Sequence, residues 1–252
     1  MYNFKLIKYY NTKSFIHSIN PLCKLICLLI FFFLTLITKN IFILLIMLIF
    51  LIILVLLSNI PIKKYFTSLI FLMPFILFIF LINYIFNINV VLSITSSIKL
   101  ILFVIYSALI MYTTKPNDLT YGLERLFSPL KSFNVPVNEL ALSLSLSIRF
   151  IPIVFEQSDK ILKSQISRGL DFNGSLINKT NKLISVLFPI FKLSMLRSES
   201  IADSLDLRLY NPKRNRTKYK LYKMSSYDDG IIFIHIILLA LYVFVEVLLW
   251  DI

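Results

Sequence analysis

Five stretches of this chain carry almost no charge, and they decide what it can fold into. Residues 25–38, 41–57, 66–86, 90–112 and 230–250 are runs of Ile, Leu, Phe and Val, interrupted by Lys99 in the fourth and Glu246 in the fifth. A helix needs about 20 mainly apolar residues to cross a bilayer, with about 17 the lower limit, so the last three qualify outright. The first two are parted only by Lys39 and Asn40. Fused into one helix at about 1.5 Å per residue they would reach about 50 Å, against a hydrocarbon core of about 30 Å. A tight hairpin at Lys39-Asn40 fits better, which predicts four N-terminal spans and one C-terminal span. Composition agrees: 58% of the 252 residues are hydrophobic and 15% charged, where soluble globular chains run about 45–50% and about 25%. An ordinary soluble enzyme and a disordered or collagen-like chain are excluded.

The charge that remains is unevenly placed. The chain has 26 Lys and Arg against 13 Asp and Glu, a formal charge of +13. In so apolar a sequence, basic residues mark cytoplasmic loops and the membrane surface before they mark nucleic acid. With the N-terminus inside, Lys5, Lys8, Lys13, Lys24, Lys63, Lys64 and every basic residue from Lys115 to Lys223 fall on the cytoplasmic side, and Lys39 alone falls in an outer loop. Merging the first two spans would put Lys63 and Lys64 on the wrong side. The expectation is a multi-pass protein of the cell membrane, N-terminus in and C-terminus out. No small-residue cleavage site follows the first apolar run, which continues into a second, so the basic start reads as the approach to a span and not as a signal peptide.

Residues 115–227 read differently. Pro116-Asn117-Asp118 is a helix-start signal, after which Leu119, Leu123, Leu126 and Leu130 fall on one face. A long helix is predicted from 137 to 168, with Pro152 as a kink. Its stretch Leu140 to Ser147 alternates with period two, a strand template, but the apolar pattern outruns strand length. Ala141/Ser145 and Ser143/Ser147 are small pairs suited to close helix packing. Residues 171–175 form a loop, and another helix is predicted from about 179 to 208 with Pro189 inside. The basic run 213–223 reads as a juxtamembrane linker.

Little here looks like catalytic chemistry. There is no G-x-x-x-x-G-K-[ST] or G-x-G-x-x-G phosphate motif, and His17 and His235 have no companion ligand at metal spacing. Cys23 and Cys27 lie four apart, which is neither C-x-x-C nor a disulfide framework, and read as core or lipid-facing thiols. Asp228-Asp229 is read as a pair that terminates a helix or stays solvated, with no third partner for a metal. No cofactor is expected. Lys99 and Glu246, as ionisable groups in spans, are functional candidates by position; the structural alternatives are that Lys99 pairs with a helix carbonyl or lines a bundle interior, and that Glu246, near the end of its span, reaches the interface. Two arginines stand near predicted helix C-termini, in Ser167-Arg168-Gly169 and Leu207-Arg208-Leu209. A cation there complements the helix dipole, and Gly169 is a common helix stop. A guanidinium held at such an end could also pair bidentately with carboxylates of a partner. Spacing does not choose between these.

Several pieces occur in an order that resembles the energy-coupling-factor transporter transmembrane component, the T subunit of vitamin and cobalt or nickel uptake systems. They begin with Asn20-Pro21-Leu22-Cys23-Lys24-Leu25, similar to a D-P-x-x-K-L motif with Asn in place of Asp. Gly122-Leu123-Glu124-Arg125-Leu126 with Ser128-Pro129-Leu130, Val135-Pro136-Val137 and Ile148-Arg149-Phe150-Ile151-Pro152 follow. Ser167 to Phe172 resembles a first Ala-Arg-Gly-type motif. Arg197 to Ala202 leads into Leu207-Arg208-Leu209-Tyr210, similar to a second, and then Arg216-Thr217. The second motif departs from the family pattern in its bulky flanks, Leu207 and Leu209.

The resemblance implies a non-catalytic subunit. Its expected partners are two ABC-type ATPase subunits, a substrate-binding membrane subunit and the lipid bilayer, with no nucleic acid. ATP hydrolysis falls to the ATPases, whose interface is expected at Ser167, Arg168, Gly169, Leu207, Arg208 and Leu209. Arg149, Arg197 and Glu199 are expected to pair helices within the coupling region. The fold class is all-α, a polytopic membrane protein of about five transmembrane helices (4+1) with long cytoplasmic coupling helices. Its expected domains are 1–114, a bundle of four spans; 115–227, the coupling helices; and 228–252, the last span. The alternative is a self-contained secondary permease. That would want several polar groups at mid-membrane and internal symmetry, and Lys99, Asn83 and Pro74 are what the spans offer.

Overall fold

The computed structural model describes residues 9–38, 40–87, 90–133, 135–171, 176–211, 222 and 224–250. Among these every regular element is a helix. In chain order they are α1 (Phe15–Ser18), α2 (Pro21–Ile37), α3 (Ile41–Leu57), α4 (Ile62–Asn87), α5 (Val90–Thr113), α6 (Pro116–Leu126), a 3₁₀ turn (Ser128–Phe133), α7 (Val137–Ser167), α8 (Leu176–Leu207) and α9 (Ser226–Trp250). The protein is an all-α polytopic membrane protein. The predicted break between the first two apolar runs is there, with α2 and α3 each 17 residues long; Lys39 itself lies outside the described residues. Leu130 falls in the 3₁₀ turn, not on the helix of Leu119, Leu123 and Leu126, because α6 ends at Leu126.

Two compact units make up the chain: Met1–Asn134 with Lys220–Ile252, and Val135–Tyr219. In the first, α5 packs against α2, α3 and α4, while α9 and α6 pack against α2. Cys23, Cys27, Phe31 and Leu34 form the buried stripe of α2, Leu44, Met47 and Leu51 that of α3, and Leu102, Tyr106 and Leu109 that of α5. Their spacings of three and four are what one face of a helix presents. Phe31 stacks on Tyr106 with centroids 4.4 Å apart. Cys23 and Cys27 are free thiols inside this core. By contrast α4 is apolar all round and exposes Phe66, Ile70, Phe71 and Phe78, the composition of a helix whose solvent is lipid.

Lipid offers no hydrogen bonds, so polar groups in the bundle must find partners within the protein. Thr35, Thr38, Thr95, Ser97 and Thr113 donate to carbonyls three or four residues back. Helices α2 and α5 run antiparallel and exchange lysines. Lys24, in the first turn of α2, donates to the Thr113 carbonyl at the end of α5, 3.1 Å away. Lys99 of α5 donates to the Leu36 carbonyl at the end of α2, also at 3.1 Å. The last carbonyls of a helix lack intrahelical donors and carry its negative pole, so each lysine answers both needs. This places Lys99 against a helix carbonyl, the first of its structural readings.

The predicted last span begins four residues earlier than expected, and the reason is Asp228. Its Oδ2 accepts from the Ser225 amide at 2.8 Å, the carboxylate half of a capping box at the start of α9. Its Oδ1 accepts from the Asn20 amide at 2.9 Å, tying the start of α9 to the start of α2. Only 2% exposed, Asp228 is neither solvated nor at a helix end in the sense expected: it opens a helix. Glu246 lies in α9 with its side chain outside the described residues. His235 is fully buried. Its Nδ1–H donates to the Ile231 carbonyl at 2.8 Å, which leaves Nε2 to accept from the Tyr106 hydroxyl at 2.9 Å. That bond joins α9 to α5. His17, in α1, is held likewise: Nε2–H donates to the Tyr10 carbonyl and Nδ1 accepts from Ser14. Burial lowers its pKa, Lys24 nearby lowers it further, and the bond to Tyr10 partly opposes both.

Helix α6, where the expected coupling segment begins, packs on the first turns of α2. Gly122 makes this possible. A Cβ there would stand 2.9 Å from Leu25 Cδ1 and 3.1 Å from the Pro21 carbonyl carbon and oxygen.

Candidate functional site

The second compact unit is built on two long helices. At about 1.5 Å per residue, the 31 residues of α7 and the 32 of α8 are each nearly 50 Å long. The alternating Leu-Ser stretch is helical, and its hydroxyls show why that is affordable. Ser147 donates to the Ser143 carbonyl at 2.8 Å and Ser158 to Val154 at 2.7 Å, so serine satisfies itself on its own helix. Ser185, Ser194 and Ser204 do the same on α8. Both helices continue through their prolines, Pro152 and Pro189. The start of α8, at Leu176, is three residues before the expected position; residues 172–175 of the predicted loop, and 213–221 and 223 of the predicted linker, lie outside the described residues.

Helices α7 and α8 pack against each other. Of the three residues expected to pair them, Arg197 does face across: its guanidinium lies 6.0 Å from the Phe150 ring centroid, while its Nη1 is shielded with no hydrogen-bond partner among the described residues. Arg149 and Glu199 are exposed on their own helices. By length and composition α7 also qualifies as a membrane crossing, together with Ile62–Phe86, Val90–Thr113 and Ser226–Val245. A search for uncharged runs passes it over, because Glu139 and Arg149 interrupt its apolar half.

The six predicted interface residues gather as two triplets, each at the end of its own helix and all exposed. Ser167 is the last residue of α7 and Arg168 its cap, with φ −88° and ψ 11°. The Gly169 amide then donates to Ile166 and the Leu170 amide to Gln165, both at 3.0 Å. This is the Schellman arrangement, in which the residue after the cap takes a left-handed conformation, and Gly169 has φ +88°. Helix α8 ends the same way. Leu207 is its last residue, the Leu209 amide donates to Asp206 at 2.8 Å and the Tyr210 amide to Leu205 at 3.0 Å. Here the left-handed residue is Leu209, with φ +52°. Each arginine is therefore the cap residue of a helix whose last turn is closed by two extra hydrogen bonds.

Chemically, each end is a guanidinium on a stiff support. Arginine presents a planar fork that suits bidentate capture of a carboxylate and stays charged at any physiological pH. Among the described residues no cluster of three or more His, Cys, Asp or Glu could hold a metal ion. Sequence reasoning missed Asp228, although Ser225-Ser226-Tyr227-Asp228 is a capping-box pattern, and it missed the His235–Tyr106 bond, which no local pattern signals.

Comparison with known proteins points one way. A family model described as cobalt transport protein, CbiQ, matches residues 12–219. The energy-coupling factor transporter transmembrane protein EcfT of Bacillus subtilis is 38% identical over 135 residues, 53% of this chain and 51% of its own length. Its namesake in Ruminiclostridium cellulolyticum is 37% identical over 139 residues, 53% and 52% respectively. An uncharacterized protein of Mycoplasma genitalium, MG181, is 36% identical over 123 residues, 48% of this chain and 29% of that protein. The matched region is thus about half the length of the first of these relatives.

Proposed function

The chain belongs to the CbiQ cobalt transport protein family, and from that premise we propose that it is the transmembrane coupling subunit of an ATP-driven importer of the energy-coupling-factor type, serving vitamins or transition-metal ions. Two ABC-type ATPase subunits bind Ser167-Arg168-Gly169 and Leu207-Arg208-Leu209. A separate substrate-binding membrane subunit selects the cargo. ATP-driven closure of the ATPases is passed through α7 and α8 to that subunit, and this chain catalyses nothing itself. The N-terminus and the α7–α8 unit face the cytoplasm, and the C-terminus faces outward.

The observation that carries this reading is the matched pair of helix ends. Two long helices terminate in the same Schellman turn, each with an exposed arginine as the cap residue. The helix dipole favours a cation at each end; the docking reading adds a use for two guanidiniums left exposed on the same capped turn. The names of the relatives supply the context, since EcfT is called a transporter transmembrane protein.

The test is affinity purification of this subunit from native membranes in mild detergent, with every co-purifying chain identified. Two ATP-binding-cassette subunits and a small membrane protein are expected, and the small protein then names the substrate. If the chain is recovered alone and supports uptake when reconstituted alone, the coupling role is wrong and a permease takes its place.

A further inference from the structure

The two arginine-bearing ends share one backbone design and differ in what it costs. A Schellman turn needs its left-handed residue for the backbone alone. At Gly169 that is plain: a Cβ there would meet nothing within 4 Å, so the glycine serves conformation and not space. At α8 the same position is Leu209, whose Cβ in the left-handed region crowds its own carbonyl oxygen. Strain of this kind persists only where the surrounding structure holds it in place, and it clusters at binding and switch sites.

Nothing within the described chain gains from that leucine. Leu209 is 89% exposed and Leu207, on the other side of Arg208, is 86% exposed, the two most exposed large apolar side chains among the described residues. Bilayer hydrocarbon is a poor destination for them. Asp203, Asp206 and Arg208 stand within five residues of Leu207 and are exposed at the same helix end, and charges are expelled from hydrocarbon. What suits a cation between two leucines is a protein groove with apolar walls beside an acceptor, since buried apolar anchors around one paired charge are how compact docking sites gain affinity.

We infer that Leu207 and Leu209 are apolar anchors of the second helix end, seated in a pocket next to a carboxylate on an ATP-binding subunit, and that the strained conformation of Leu209 is retained to aim its side chain into that pocket. This rests on the reading that both ends dock ATPases. It adds that the second end is held largely by apolar contact, whereas at the first the residues on either side of the arginine, Ser167 and Gly169, carry no apolar side chain, and Ile166 is half exposed one residue further back.

Leu209→Gly in the full transporter complex gives opposite signs for the two possible roles. If Leu209 only closes the helix, glycine relieves the turn, and ATPase content stays at or above the wild-type level. The anchor role predicts an unchanged or higher melting temperature for the purified subunit, a loss of at least tenfold in ATPase retained through a salt wash, and recovery of most of it in Leu209→Met. Leu207→Ala is expected to lose retention in the same direction. Wild-type retention in Leu209→Gly and Leu207→Ala, with loss in Arg208→Glu, would overturn the anchors and leave ATPase docking standing. Wild-type retention in Arg168→Glu, Arg208→Glu and Leu209→Gly together would overturn the docking reading and the anchors with it.

Discussion

The bundle and the α7–α8 unit use similar amino acids to opposite ends. In the bundle, burial and hydrogen bonding close on themselves. Lys24 and Lys99 answer the carbonyl ends of each other's helices, Asp228 joins two helix starts, and His235 joins α9 to α5. In the α7–α8 unit, Val137, Ala141 and Val186 are buried, whereas Leu183, Ile184, Leu187, Phe188 and Phe191 line the exposed side of α8. The first region answers its polar groups within the folded chain and turns apolar surface such as Phe66 and Phe71 outward, as lipid requires; the second leaves charged tips exposed on the same helices as an apolar stripe.

Substitutions can break or sharpen this contrast. The largest effect is expected at Gly122. Gly122→Val forces side-chain atoms against the Pro21 backbone, for which about 3 kcal/mol is the upper end of ordinary overpacking costs. Thermal unfolding in detergent should show it as a clear fall in melting temperature; a normal melting curve would mean that α6 does not depend on close approach to α2. Next comes Asp228→Ala, which strands the amides of Asn20 and Ser225 at about 1 kcal/mol or more each. Its signature is early hydrogen exchange at the starts of both α2 and α9, and exchange confined to α9 would refute the link between them.

Changes at the tips should leave the fold alone and act on assembly. Arg168→Glu is expected to reduce retained ATPase at least tenfold, about 1.4 kcal/mol, and to do so more than Arg208→Glu, whose leucine flanks contribute apolar contact. Equal losses in co-purification and in uptake would remove that ordering. Neither change should move the melting temperature of the isolated subunit, because surface substitutions away from packed features stay within about 0.5 kcal/mol.

The smallest effect is a pH dependence from His17. Its folded pKa lies below the ordinary value of 6.5 because of burial, with Lys24 adding to the shift. Below pH 6.5 the unfolded chain takes up a proton that the folded one resists, so stability is full above that value and declines as the pH falls through it. The melting temperature of wild type should therefore drop slightly on acidification, with a flatter profile in His17→Gln.

Much of this was legible in residue order. The break between α2 and α3 followed from length alone, since neither one span nor two longer ones could fit the apolar runs. The end of α7 was readable to within one residue from Arg168-Gly169. The end of α8 was located equally well, but its turn was not foreseeable, because leucine is a poor guide to a left-handed position. The two aspartates before the last span misled: taken as solvated, one of them is a buried link, although the capping-box spacing from Ser225 could have signalled its local half. The other half, the bond to Asn20, spans 208 residues of sequence.

The amino-acid sequence by itself determined that this is a helical membrane protein, about where its long helices lie, and which residues end α7 and α8. Those properties depend on hydrophobicity, periodicity and capping within a few residues of each position. Tertiary structure alone decided that Lys24 and Lys99 would cap each other's helices, that His235 would meet Tyr106, and that Gly122 would touch Pro21. Each of these joins positions that only packing brings together, and in lipid such partners matter most, because an unmatched polar group has no water to turn to.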